Sequence, residues 1–103
     1  MAAYVISEVE VLDEKQMAEY RRLAAASIAE YGGRYLARAA EMEVAEGEPT
    51  GRRIVIVEFP SMQRLKEWHA SASYAEALKF RDRALRRRLV FVEGMSAVPR
   101  LAT

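Results

Sequence analysis

The 103-residue chain contains no cysteine and only one histidine, His69. Without cysteine, it can form no disulfide, no thiolate nucleophile and no cysteine metal site. With one histidine, a metal site would need carboxylates alone as further ligands, which is a poor set for a transition metal. We therefore expect no metal, no cofactor and a reducing, cytoplasmic location.

Long apolar runs, a surplus of one charge and a phosphate-binding loop are also missing. The first residues carry no basic stretch and reach acidic residues by Glu8, which argues against a signal peptide or a membrane span. Sixteen basic and fifteen acidic residues nearly balance, so we expect neither nucleic acid nor membrane as a partner. Gly32-Gly33 lacks the lysine and the further glycines of a phosphate loop.

The spacing of apolar residues predicts the element order βαββαβ. Asp13 is a typical helix N-cap, and Gly32-Gly33 is a typical helix stop. Ser73 and Glu76 form a capping-box pattern that predicts a second helix start, with Ser73 as its N-cap. The predicted elements are strands at 3–11, 34–39, 53–59 and 89–94, a helix at about 14–31, and a helical segment from Ser61 onward that breaks near Ser71.

This order is the ferredoxin-like arrangement of an α+β fold. Right-handed crossovers place both helical segments on one face of a four-stranded antiparallel sheet. Residues 54–57 and 89–92 are apolar on both sides, which strands facing water avoid. A second copy of the sheet is the simplest cover, so we expect a homodimer. The domain is predicted at 1–95, with a C-terminal tail at 96–103.

Alternation within the strands predicts which side chains share a face of the sheet. The uniformly apolar set is expected to face the helices: Val5, Val9, Val11, Val55, Val57, Phe59, Val90 and Val92. The second set mixes apolar and charged residues and is expected to line the dimer interior: Tyr4, Ile6, Glu8, Glu10, Arg34, Leu36, Arg38, Ile54, Ile56, Glu58, Leu89, Phe91 and Glu93.

Five separated segments, taken in order, resemble a bacterial family called domain of unknown function thirteen-thirty. They are the runs at 32–38, 44–47, 57–61 and 89–94, together with the group Trp68, Ser71 and Tyr74. The resemblance implies a dimeric α/β barrel, in which two ferredoxin-like sheets pack around an interior pocket. Relatives in that superfamily include cofactor-free monooxygenases, dehydratases and muconolactone-isomerase-like enzymes, so no single activity is implied.

The sequence departs from the family pattern at two places. Ala39-Ala40 stand where a Gly-Gly pair is usual, and Ala72 stands where proline is usual. Both departures affect the predicted geometry of loops and leave the predicted fold unchanged.

The leading candidate site combines Arg38 with Glu58 or Glu93 on the predicted interior face. A half-desolvated carboxylate there would have a raised pKa or an arginine partner, and either property is typical of functional sites. The alternative is a structural ion-pair cluster without a ligand. On the first interpretation, Arg38 contacts an anionic ligand.

Four further residues are candidates on the helical segments. Arg81 shares an apolar stripe with Tyr74 and could bind a ligand carboxylate with two parallel bonds, or extend its charge to solvent. Trp68 and Tyr74 could wall a pocket or belong to the core. His69 could move a proton near neutral pH, or be a surface residue.

A basic run near the C-terminus is interpreted as the solvated end of the last helix, where positive charge suits the helix dipole. A nucleic-acid interface would need more interleaved aromatic residues than Phe80 alone. The run consists of Lys79, Arg81, Arg83, Arg86, Arg87 and Arg88.

Three functions remain open at this point. The first is a cofactor-free enzyme for an anionic organic substrate, with Glu58, His69 or Glu93 moving a proton. The second is a non-catalytic module that binds a small anionic ligand in the same pocket. The third is a structural homodimer whose interior is filled by side chains.

Overall fold

The computed structural model describes residues 1–38 and 42–95. The predicted tail at 96–103 lies outside the described residues. Within them, no helix has both the length and the apolar character needed to cross a membrane. The elements are β1 (Ala3–Val11), α1 (Glu14–Glu30), β2 (Arg34–Arg38), β3 (Arg53–Phe59), α2 (Met62–His69), α3 (Ala72–Ala84) and β4 (Leu85–Glu93).

The four strands form one antiparallel sheet in the order β2-β3-β1-β4. The helices cover one side of it, which we call the helix face; Val5, Val57 and Phe59 lie there and are buried in the core. The opposite side, which carries Tyr4 and Ile6, is the outer face. The predicted ferredoxin-like α+β fold is therefore confirmed.

Helix α1 begins and ends where its sequence signals predict. The Asp13 side chain accepts hydrogen bonds from backbone N–H groups of the first turn. Gly32 has φ of 80°, a left-handed conformation that favours glycine. A Cβ on Gly33 would lie 2.8 Å from side-chain atoms of both Ile28 and Phe59, so only glycine lets the chain leave the helix this close to the core.

The predicted helix break near Ser71 is present, but the predicted cap is wrong. Ser71 has an extended backbone, and its Oγ accepts a hydrogen bond from the N–H of Tyr74 at 3.1 Å. Ser71 therefore caps α3, because Ser73 already lies inside the helix. The capping-box pattern of Ser73 and Glu76 starts two residues too late.

Strand β4 begins earlier than predicted. Helix α3 ends at Ala84, and β4 pairs with β1 from Leu85 onward, with Leu85 opposite Val11 and Arg86 opposite Glu10. The basic residues 86–88 are thus strand residues, and their interpretation as a helix end is wrong. The main-chain bonds to β1 outweigh the local helical pattern, which is a weak determinant where a strand can pair.

The predicted phase of β4 is also wrong. Phe91 lies opposite Val5, so Leu89 and Phe91 are on the helix face, while Val90 and Val92 are on the outer face. Both sets of side chains are apolar, so alternation alone does not distinguish them. Only the pairing register with β1 fixes the orientation.

A register shift in β2 separates two arginines that were predicted to share a face. Arg34 lies opposite Glu58 on the outer face, whereas Arg38 lies opposite Val55 on the helix face. The shift occurs across Leu36. A β-bulge adds one residue to one strand and so reverses the side to which the following side chains point.

Candidate ligand-binding site

A cavity of about 470 Å³ lies between the helix face of the sheet and α1. This volume suits a small organic molecule. Much of its wall is aliphatic and comes from both layers, including Val5, Val9, Met17, Ile28, Val55 and Val57. The cavity belongs to one chain and lies on the opposite side of the sheet from the dimer interior where a pocket was predicted.

Arg87 supplies a cation to the wall of this cavity. It lies opposite Val9 and therefore points toward the helix face. Its Nη1 donates a hydrogen bond to the Tyr20 hydroxyl at 2.6 Å, and its Nη2 donates to the Tyr74 hydroxyl at 2.8 Å. Within the described part of the chain, no carboxylate forms an ion pair with this half-buried guanidinium.

The two tyrosines that hold Arg87 also contact each other. Their hydroxyl oxygens are 2.6 Å apart, and their rings meet edge to face with centroids 6.4 Å apart. Tyr20 is 8% exposed and Tyr74 is fully buried. Burial raises the pKa of Tyr20, and the neighbouring Tyr74 raises it further, against the opposing effect of Arg87. Tyr20 is therefore a neutral hydroxyl at physiological pH.

Trp68 joins α2 to α1 and packs against the ring of Tyr74. Its indole Nε1 donates to the Ser27 Oγ at 2.9 Å, and Ser27 in turn donates to the Ala24 carbonyl at 2.8 Å. The indole centroid lies 4.2 Å from the Tyr74 ring centroid. Trp68 lines the cavity. Tyr74 lies behind the wall and is hydrogen-bonded to two lining residues, Tyr20 and Arg87.

Further charged residues line the cavity where side chains are partly or fully exposed. They are Arg21, Arg38, Arg53 and the single carboxylate Glu14. The Arg38 guanidinium lies 4.4 Å from the centroid of the Tyr35 ring. Burial raises the pKa of Tyr35, although the Arg38 charge acts in the opposite direction. Among the described lining residues, arginines thus outnumber carboxylates at the opening of the cavity.

The predicted pairing of Arg38 with Glu58 or Glu93 does not occur. The Glu58 carboxylate accepts from Arg34 Nε at 2.8 Å and from the Tyr4 hydroxyl at 3.3 Å, on the outer face. Glu93 is exposed at the end of β4. Arg38 has no carboxylate partner among the described residues. The bulge in β2 turns it away from Glu58, and Glu93 lies on β4, at the opposite edge of the sheet.

Arg81 and His69 lie outside the main cavity. Both line a shallow surface depression on the other side of Arg87. Arg81 is exposed and forms a 3.4 Å ion pair with Asp82. The His69 ring packs edge to face against Phe91, with centroids 5.2 Å apart. Burial lowers the pKa of His69, and the charges of Arg87 and Arg81 lower it further.

Sequence reasoning missed Arg87 and Tyr20 as site residues. The alternation within β4 does indicate Arg87. One side of the strand is apolar except for this single cation, and its residues are Leu85, Arg87, Leu89 and Phe91. That signal requires a strand, and the segment around Arg87 was interpreted as the end of a helix.

Solved structures share this fold at low sequence identity. RPA0582, a protein of unknown function from Rhodopseudomonas palustris, superposes with a TM-score of 0.71 and 18% identity, covering 92% of this chain and 83% of that one. SnoaB, a cofactor-independent oxygenase from Streptomyces nogalater, gives 0.58 and 9%, covering 96% and 98%. A dimeric ferredoxin-like protein of unknown function from Bacteroides fragilis gives 0.57 and 16%, covering 90% and 96%.

The family resemblance extends over nearly all of the described chain. No curated protein matches the sequence. The family described as domain of unknown function (DUF1330) matches residues 2–95. This range covers all seven elements, the cavity and the group formed by Arg87, Tyr20 and Tyr74. The chain belongs to the DUF1330 family, as the five sequence segments indicated.

Proposed function

We propose that the protein binds a small organic anion in the cavity between the helix face and α1. The observation that carries this proposal is Arg87, a half-buried guanidinium that two tyrosine hydroxyls hold in place and that no described carboxylate neutralises. A half-buried charge without a counterion is costly, and a bound anion lowers that cost. Arginine keeps further N–H donors for a carboxylate after it has bonded to both tyrosines.

The rest of the cavity supports an amphiphilic ligand. Its aliphatic walls suit an apolar body, because transfer of such a body from water is favourable. Among the described residues at the opening, Arg21 pairs with Glu14 at 3.7 Å, and Arg38 has no carboxylate partner. A positive opening raises the local concentration of anions and speeds their entry. The ligand that fits best has an apolar body and one anionic end at Arg87.

A cofactor-free enzyme is the second candidate. A fixed cation in a largely apolar site stabilises negative charge that develops on a substrate oxygen. The fold similarity to SnoaB, a cofactor-independent oxygenase, supports this class of function without specifying the reaction. The open cavity on the helix face offers room for a ligand within a single chain, which a purely structural dimer does not need.

The outer face supports a homodimer. Its central side chains are apolar and only partly covered in the single chain, and Val92 is 39% exposed. Such a face is typically covered by a partner, and a second copy gives a closed, symmetric assembly. The similar Bacteroides fragilis protein is dimeric. A cytoplasmic location, expected from the lack of cysteine, completes this proposal.

Titration with matched naphthalene probes tests the ligand proposal. The anionic probe is 2-naphthoate, and 2-naphthamide is the neutral control of almost the same shape. We expect the wild type to prefer the carboxylate. Arg87→Met should weaken 2-naphthoate binding by about tenfold or more, because charged hydrogen bonds contribute about 1.5–3 kcal/mol. Calorimetry or intrinsic fluorescence measures both affinities.

Arg88→Met is the matched control for this experiment. Arg88 is the next residue of β4, points to the outer face and pairs with Glu8 at 3.2 Å. Its substitution removes the same charge and should leave 2-naphthoate binding unchanged. Equal affinities of the wild type and the Arg87→Met variant, or a wild type that does not distinguish the carboxylate from the amide, would contradict the proposal.

A further inference from the structure

The contact between Arg87, Tyr20 and Tyr74 contains more donors than acceptors. Arg87 can only donate, so each tyrosine oxygen accepts one of its N–H groups. The two hydroxyl oxygens are 2.6 Å apart, a distance that requires one hydroxyl to donate to the other. The proton of the second hydroxyl then has no acceptor within this group of three residues.

Burial decides which hydroxyl keeps the unused proton. Tyr74 is fully buried, and the described structure gives its hydroxyl only Tyr20 and Arg87 as hydrogen-bond partners. If Tyr20 donated to Tyr74, the Tyr74 proton would be buried without an acceptor, which folded proteins avoid. Tyr20 lines the cavity. The satisfied arrangement has Tyr74 donating to Tyr20, while the Tyr20 proton points into the cavity.

We infer that the Tyr20 hydroxyl donates a hydrogen bond to the bound ligand beside Arg87. The ligand places an oxygen acceptor there, as a carboxylate, phenolate or enolate does. This inference rests on the proposed function of the cavity and adds the chemical class of its ligand. The raised pKa of Tyr20 keeps the hydroxyl protonated. A ligand with only N–H donors at this end, such as an ammonium group, would meet the Tyr20 hydroxyl and the remaining N–H groups of Arg87 but no acceptor, so the site rejects it.

Two tyrosine variants form a matched pair for testing the donor. Tyr20→Phe and Tyr74→Phe each remove one hydroxyl that accepts from Arg87 and one partner of the contact between the hydroxyls. If Tyr20 is the donor, Tyr20→Phe should weaken 2-naphthoate binding by about tenfold. Tyr74→Phe should change it by less than about threefold, because the Tyr20 proton remains. The opposite ranking, or equal losses, would overturn the inference.

A measurement without ligand separates this inference from the proposed function. In tyrosine-labelled protein, the Tyr74 hydroxyl proton should exchange slowly enough to give an NMR signal, and the signal should disappear in Tyr74→Phe. The Tyr20 proton should exchange with solvent. A protected proton assigned to Tyr20 would overturn the donor assignment even if the site binds anions. Unchanged 2-naphthoate binding in Arg87→Met would instead overturn the proposed function and leave the hydroxyl orientation intact.

Discussion

Arginines on the two faces of the sheet have different kinds of partner. On the outer face, Arg88 pairs with Glu8 at 3.2 Å, and Arg34 pairs with Glu58 at 2.8 Å. On the helix face, Arg87 bonds only to neutral hydroxyls. The chain therefore neutralises Arg34 and Arg88 with its own carboxylates and leaves Arg87 for a counterion from outside. Adjacent residues of one strand carry these two roles because side chains alternate between faces.

The largest expected effect is on assembly, and it comes from a substitution on the outer face. Ile56→Asp places a carboxylate at the centre of the apolar surface that we propose as the dimer interface. Burying that charge without a partner costs several kcal/mol, so the variant should be monomeric or poorly soluble. Light scattering and sedimentation at several concentrations measure the mass of the wild type and the variant.

Ala26→Asp is the control for the added charge. Ala26 is exposed on α1, away from the outer face. We expect this variant to keep the assembly state of the wild type. A wild type that stays monomeric at micromolar concentration, or an Ile56→Asp variant that still dimerises, would remove the outer face as the interface.

An intermediate effect sharpens the comparison at the helix face. Ser27→Ala removes the acceptor of the Trp68 indole N–H, which is buried between α1 and α2. An unsatisfied buried donor costs about 1–3 kcal/mol. Urea denaturation at fixed protein concentration should show a loss of this size. The control is Ser73→Ala, which removes a half-buried hydroxyl 3.3 Å from Ser71 Oγ. It should lower the free energy of unfolding by less than about 0.5 kcal/mol. Equal losses in the two variants would show that the hydrogen bond to Trp68 adds no stability of its own.

Sequence reasoning predicted the fold well because strong local signals agreed with the global arrangement. The N-cap at Asp13, the glycine stop at Gly32 and the alternation of the strand at 3–11 each define an element without help from distant residues. Pairing these elements in the ferredoxin-like order then required only the handedness of the crossovers.

The candidate site depended on pairing that no local pattern shows. Whether Arg87 belongs to a helix or a strand is decided by β1, which lies far away in sequence. Whether Arg38 faces the helices is decided by a bulge at Leu36, a residue with no turn signal. Trp68 lines the cavity and Tyr74 accepts a hydrogen bond from Arg87, yet Arg87 itself was assigned to solvent.

The smallest expected effect concerns His69, the only histidine of the chain. Its pKa is lowered in the folded protein, first by burial and then by Arg87 and Arg81. The folded state therefore holds the proton less tightly than the unfolded state. His69 contributes full stability above its ordinary pKa, and this contribution is lost as the pH falls through the folded pKa. His69→Gln should therefore make the free energy of unfolding depend less on pH between neutral and mildly acidic values.

The same histidine reports whether an anion reaches Arg87. A carboxylate bound there offsets the positive charge that helps to lower the pKa of His69, so saturation with 2-naphthoate should raise this pKa toward its ordinary value. NMR titration of the single imidazole measures the change without any assignment variant. The neutral 2-naphthamide should have no such effect, and Arg87→Met should by itself raise the pKa of His69 and abolish the response to 2-naphthoate. If 2-naphthoate binds and the His69 titration stays the same, the anion lies away from Arg87, and the contrast between the two faces of the sheet then has no functional meaning.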